Sequence, residues 1–192
     1  MTDSSTPGAA ERLLDTAARL FYARGVSNVG INEIIARAGV ARMTLYHHFP
    51  SKDALVKAVL EARRAERAAW LARADELAST PRGRMLAVFD LLESWVQTPD
   101  FRGCPLVAAS FELGGQFNPA IPYARDHITA VREFFAERAE QAGLANPAMV
   151  AAQLQLLLEG ATVTALVQGS AAAATEARAA AAAVLGMPQG GS

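Results

Sequence analysis

The stretch Arg42-Met43-Thr44-Leu45-Tyr46-His47-His48 gathers five polar side chains into seven residues, a length that suits one short helix. At helical spacing Leu45 and Phe49 fall four apart, on one face that can anchor to a core. The opposite face then carries Arg42, Met43, Thr44, Tyr46 and His47. A guanidinium and an imidazole can reach phosphate oxygens or guanine edges. A threonine hydroxyl can do either, and its methyl can meet thymine. These types on one short helix point to contact with a DNA major groove. Asn32 ahead of the helix and Lys52 behind it extend the set. Tyr46 and Lys52 suit phosphates, and Lys52 opens a helix whose N-terminus also attracts anions. Arg42 and Thr44 are better placed for bases or nearby backbone.

The neighbouring segments read as elements that present this helix. Residues 31–38 form a helix with Ile31, Ile34 and Ile35 inside, ended by the turn Ala38-Gly39-Val40-Ala41. A glycine closing a helix adopts left-handed backbone at no steric cost. Pro50 bars the next helix from continuing and pushes Phe49 toward extended geometry. Two helices joined by a turn of about 3–4 residues containing Gly make the helix-turn-helix, whose second helix can enter a major groove. A helix over residues 9–24 precedes the pair, with Leu13, Ala17, Leu20 and Phe21 as its buried stripe and Gly25 after its end. The plainer alternative is a surface helix of a bundle used for protein contacts without DNA.

Residues 10 to 57 resemble the N-terminal domain of the tetracycline-repressor (TetR) family of bacterial transcription regulators. The resemblance begins with LLDTAARLFYARGV, passes through Ile34 and Ala38-Gly39-Val40, and closes on TLYHHFPSKDAL. It implies a homodimeric DNA-binding protein with a C-terminal domain that binds a small-molecule effector. Two positions depart from the common family pattern. Gly30 stands where many members have a helix-opening Thr, and glycine caps only weakly; Asn32 is the neighbour that could compensate. Arg42-Met43 replaces a frequent Lys-Gly pair. Arg keeps the charge and adds a planar fork, while Met43 puts an apolar side chain where glycine would let backbone approach DNA. FRGCPLVAAS with HITAVREFF resembles a C-terminal domain common among these regulators, and implies its fold alone.

The rest of the chain also reads as helix, so the expected fold is all-α with about nine helices. A three-helix DNA-binding domain is expected over residues 1–55, with 1–8 as a disordered tail. A helical ligand-binding and dimerisation domain follows over 56–186, with 187–192 as a flexible tail. Ser51 caps a rod over 51–78, about 40 Å long at 1.5 Å per residue. Thr80-Pro81, Asn118-Pro119 and Asn146-Pro147 are cap-plus-proline openers for later helices over 81–97, 119–141 and 147–168. Two more helices are expected over 103–113 and 171–185.

Among 192 residues, 18 basic side chains face 19 acidic ones, for a net charge of −1. A uniformly basic nucleic-acid binder is thereby excluded. The balance is uneven: residues 1–99 carry 13 basic and 11 acidic groups (+2), residues 100–192 carry 5 and 8 (−3). Between Arg37 and Lys57, four basic residues meet only Asp53. A local basic patch on a near-neutral protein suits a site-specific binder. No run of about 18–20 apolar residues and no signal-peptide pattern is seen, so a cytoplasmic protein without a membrane partner is expected. No HExxH, P-loop, GxGxxG or serine elbow appears. The expectation is therefore no enzyme, no cofactor and no metal; His47 and His48, adjacent on a helix, point apart.

Helix 147–168 is apolar nearly all round, which implies burial on more than one side. In a chain this small the second cover would be a partner subunit. A twofold dimer through a four-helix bundle is expected, using Leu154, Leu157, Leu158, Ala161, Ala165, Ala179 and Ala183. Gly160 in mid-helix costs about 1 kcal/mol against Ala, which calls for a packing reason. Aromatic residues around the middle helices suggest an apolar effector pocket lined by Trp95, Phe101, Cys104, Phe111, Phe117, Tyr123, His127, Gln155 and Glu159; a plain aromatic core fits the same residues. Cys104 at a helix start admits a thiol-sensor reading, but a buried packing cysteine is preferred. Whether the regulator represses, as is expected, or activates is not written in these residues.

Overall fold

A computed structural model describes residues 7–114 and 118–187 and contains nine α-helices and no strand among them. The tails expected at 1–8 and 187–192 lie largely outside the described residues, as does Phe117. α1 (Ala9–Arg24) opens after Gly8, whose amide donates to Glu11 Oε2 at 3.0 Å. α2 (Ile31–Ala38) ends on Gly39 at φ 63°, the left-handed stop expected there. α3 (Arg42–His48) ends where Phe49 turns extended (φ −132°) before Pro50 and donates its amide to the Leu45 carbonyl at 2.7 Å.

The later caps are side-chain oxygens placed where the sequence put them. Ser51 Oγ accepts from the Ala54 amide at 3.1 Å and opens α4 (Lys52–Leu77). Thr80 Oγ1 accepts from Gly83 at 3.1 Å ahead of α5 (Pro81–Val96). Asn146 Oδ1 accepts from Met149 at 3.2 Å ahead of α8 (Pro147–Gln168), and Gly169 at φ 63° closes that helix. α9 (Ala172–Val184) follows. Two elements start later than expected. α6 (Pro105–Glu112) excludes Gly103, whose φ of 77° is incompatible with a right-handed helix. α7 (Ile121–Gln141) begins beyond Asn118-Pro119, because Asn118 Oδ1 accepts from Ala120 at 2.9 Å and makes a separate turn.

Packing divides the chain into two compact units. One comprises residues up to Arg64 together with Pro105–Ala124; the other comprises Ala65–Cys104 and residues from Arg125 onward. This division follows contacts, and differs from a functional boundary at residue 55.

The first unit buries Leu13, Ala17, Val29, Ile34, Leu45 and Leu55 completely. Its helix ends are tied by polar contacts. Arg12 Nε donates to the Ala38 carbonyl at 3.3 Å. Glu33 Oε1 receives Arg24 at 2.6 Å and Arg37 at 3.0 Å. In the second unit Phe89 stacks on Phe135 at 6.2 Å within a core that also holds Met85, Leu92, Leu154 and Leu185. α9 lays Ala174, Ala177, Ala181 and Ala182 into this core, and their small volume lets the α8 and α5 backbones come close. Arg138 clamps Asp75 with Nε at 2.9 Å and with Nη2, and lies 3.5 Å from the centre of the Phe134 ring. That hydrogen bonding holds the Asp75 carboxyl below its usual range, against an opposing effect of burial.

Among the described helices, α8 alone is long and apolar enough by length and composition to cross a membrane. Its interruptions by Gln153, Gln155 and Glu159 are too few to lower the average. Ala151, Leu154, Leu158, Ala161 and Ala165 on it are buried in the unit's own core, as expected of a core helix of a globular unit.

Candidate functional site

α3 buries one side chain completely, Leu45. Arg42, Met43, Tyr46, His47 and His48 are exposed, Met43 by 79% and Tyr46 by 39%, while Thr44 is half-buried. The residues grouped from the sequence thus share one open face. Asn32 is exposed on α2, and its Oδ1 accepts from Arg42 Nη2 at 2.6 Å. This bond holds the guanidinium at the rim of the face with part of its donor fork still available. It also corrects one expectation. α2 has Gly30 at its N-cap with no side-chain cap, so Asn32 does not replace the missing hydroxyl. It is committed to Arg42.

Lys52 is a second correction. Instead of standing out as a free phosphate ligand, its half-buried ammonium donates to the Val26 carbonyl at 2.7 Å, across 26 residues of sequence. The Val26 carbonyl lies outside the helical ladder and accepts only a long bond from the Val29 amide, 3.4 Å, so it has room for the ammonium. Glu112, which sequence reasoning passed over, accepts from the amides of the same turn. An acid at the end of a short helix carries no local sign of such a contact.

In the second unit, six of the residues proposed for a pocket occur together in one compact body: Trp95, Phe101, Cys104, His127, Gln155 and Glu159. Trp95 meets Phe101 edge-on at 4.9 Å and Trp70 at 6.2 Å. The Arg67 guanidinium lies over both indoles, 3.9 Å from Trp70 and 4.4 Å from Trp95. Arg67 was missed in the sequence; its i, i+3 spacing to Trp70 on α4 was the available signal. His127 is buried, and its Nε2 lies 3.9 Å from Glu159 Oε1. Burial, with the Arg67 charge adding to it, lowers the imidazole to about 4. His127 is therefore neutral near pH 7, and 3.9 Å is too long for a hydrogen bond. Burial raises the Glu159 carboxyl against the pull of Arg67. Gln155 is buried and accepts from Arg132 at 2.9 Å. Cys104 is buried too, just ahead of α6.

Phe111 and Tyr123 belong to the first unit. Phe111 is 82% exposed and lines no core, a correction to the expected aromatic lining. No group of three or more His, Cys, Asp or Glu among the described residues is arranged to hold a metal ion.

The proposed dimer residues separate by face. Leu154, Leu158, Ala161 and Ala165 are buried inside their own unit, so they are not on its surface; this too is a correction. Leu157 is half-buried, and Ala179 and Ala183 are exposed. Each helical residue advances about 100°, so the outward face of α8 is offset from the buried one. It carries Met149, Gln153, Leu156, Gly160, Val163 and Val167, alternating four and three apart, the spacing of a helix seam. Leu156 is 65% exposed and Val167 79%. A Cβ on Gly160 would meet nothing within 4 Å. Its glycine has no packing reason inside the protomer.

The chain resembles known proteins both in its N-terminal segment and along its whole length. The profile described as "Bacterial regulatory proteins, tetR family" matches residues 13–59. The solved structure of a TetR-family transcriptional regulator from Streptomyces coelicolor superposes with a TM-score of 0.86 at 29% identity, over 92% of this chain and 94% of that one. A TetR transcriptional regulator from Streptomyces avermitilis is 34% identical over 91% of this chain and 98% of its own, with a TM-score of 0.75. The HTH-type transcriptional repressor KstR2 of Rhodococcus jostii is 40% identical over 57 residues. The chain spans about a quarter of the length of several curated relatives, 23% of one and 28% of KstR2.

Proposed function

The chain belongs to the TetR family of bacterial transcription regulators, and from that premise we propose that it is a homodimeric repressor released from its operator by a small-molecule effector. The observation that carries the DNA reading is α3: one buried anchor, Leu45, with every polar side chain except the half-buried Thr44 exposed. Arg42 and Thr44 read bases or adjacent phosphates. Tyr46 and His47 hold the backbone. Met43 offers an apolar surface to a thymine methyl. Asn32 orients Arg42. Residues 1–55 act as the DNA-binding domain and 56–186 as the effector and dimerisation domain. The protein works in the cytoplasm, where its operator lies, and performs no catalysis.

Two copies pair through the outward stripe of α8 with the exposed alanines of α9, including Ala179 and Ala183. Gly160 then permits close approach of the partner helix. The operator is a pseudo-palindrome whose half-sites match recognition helices about 34–36 Å apart. The effector contacts the buried polar groups His127, Gln155 and Glu159 beside the Arg67–Trp70–Trp95 stack. It acts by binding one form of the dimer better than the other. Selection of bound sequences from random duplex DNA tests the reading. An enriched inverted repeat supports it, and a library recovered without enrichment refutes it.

A further inference from the structure

The turn between α1 and α2 is held from outside both helices. Glu112, the last residue of α6, lays its carboxylate on it: Oε2 accepts from the Val26 amide at 2.9 Å and Oε1 from the Ser27 amide at 2.6 Å. Lys52 takes the carbonyl of the same Val26. The turn therefore has its amides fixed by an anion and its carbonyl by a cation. Gly25 leaves room for this. Its φ of 84° disfavours any side chain, and a Cβ there would sit 2.7 Å from Glu112 Oε1 and 2.9 Å from Cδ. The residue that ends α1 is thus shaped to Glu112 as well as to its own backbone. From this turn the chain runs directly into α2, and through Gly39 into α3.

We propose that Glu112 is the positioning residue that fixes the α1–α2 turn, and with it α2 and the recognition helix, in the arrangement that binds DNA. Carboxylate-to-amide bonds are short and directional, so a displacement of about 1 Å breaks them. The contact behaves as a latch and not as a graded spring. This rests on the DNA-binding reading above.

The test uses the full chain as wild type, Glu112→Ala and Glu112→Gln, with an operator recovered by selection. Affinity is read by fluorescence anisotropy over a salt series, the active fraction by stoichiometric titration, and the Val26 and Ser27 amides by hydrogen exchange. Glu112→Ala is expected to bind about tenfold more weakly at unchanged active fraction. Its salt slope stays that of wild type, because no phosphate contact is lost. Exchange protection disappears at Val26 and Ser27 and persists at Ile34 and Leu45. Glu112→Gln, which keeps carbonyl acceptance at one amide, falls between the two and serves if the alanine variant does not fold. Affinity within twofold of wild type in the variants, or unchanged protection at the two amides, overturns the proposal. Wild-type protein that binds no DNA sinks the DNA reading itself, a result distinct from bound wild type with indifferent variants.

Discussion

Leu156 offers a direct measure of the proposed dimer. It sits at the middle of the outward stripe of α8 with 65% of its surface exposed in the protomer. Burying a leucine completely is worth about 1.5–3 kcal/mol, so covering the exposed share returns about 1–2 kcal/mol. Twofold symmetry counts each residue twice. Leu156→Ala should therefore weaken the dimer by about 2–4 kcal/mol, a rise of about 30- to 1000-fold in its dissociation constant. Leu156→Asp should go further, because it also places two like charges at the seam. Neither change touches the protomer's core, so helix content by circular dichroism should be unaltered. Sedimentation velocity over a wide concentration range is the assay. Glu140→Ala, exposed on α7, is the control. Leu156→Asp protein that sediments as wild type at every concentration would mean that this face covers nothing, and the twofold assembly would have to be abandoned.

Other consequences are equally open to measurement. Lys52→Met should lower stability by about 1 kcal/mol through loss of the bond to the Val26 carbonyl and leave the salt slope of operator binding unchanged; a slope reduced by about one unit would restore Lys52 to the phosphates. His127, lowered to about 4 in the folded state from 6.5, binds its proton more readily when unfolded. It therefore removes stability as pH falls from about 6.5 to 4, up to about 3 kcal/mol. Denaturant titrations should show this loss shrink in His127→Asn, and an identical pH profile in both proteins would refute the assignment. Glu159 works in the opposite sense above pH 4.5, since its raised carboxyl favours the folded state most when protonated. Gly30→Ser meets no atom within 4 Å and an extended backbone at φ −86°; it should add a cap worth a few tenths of a kcal/mol, visible as a small rise in melting temperature.

The parts of this fold that could be read in advance are those whose causes are local. Gly39, Thr80 and Asn146 end or begin helices through backbone geometry and one hydrogen bond each, and Pro50 stops α3 by its ring alone, all within a few residues. The open face of α3 follows from a single spacing, Leu45 to Phe49. By contrast, α8 has Leu154, Leu156, Leu157 and Leu158 on several sides, so periodicity carries no phase and cannot say which face is outward. Burial against α9 and α5 settles it in the folded chain. Lys52 and Glu112 escaped for another reason. Their partners lie 26 and about 85 residues away, and a charged side chain at a helix end looks the same whether it faces solvent or a turn. The Arg67 stack was hidden likewise, because its second indole, Trp95, comes from a different helix.

These long-range contacts matter because α3 has so little of its own to hold it. A helix of seven residues is too short to persist alone, and one buried leucine fixes its position without fixing its tilt. Tilt is set at its two ends and through α2: by the left-handed turn at Gly39, by the Asn32–Arg42 bond, and by the stop at Phe49. α2 is set in turn by Arg24 and Arg37 on Glu33 and by the clamped turn before it. Each link is a polar contact near the surface, individually weak and replaceable by water. A scaffold of that kind can change arrangement at small cost. On the proposed DNA-binding reading, substitutions behind α3, at Glu33 or Asn32, should change operator affinity as much as substitutions on its open face.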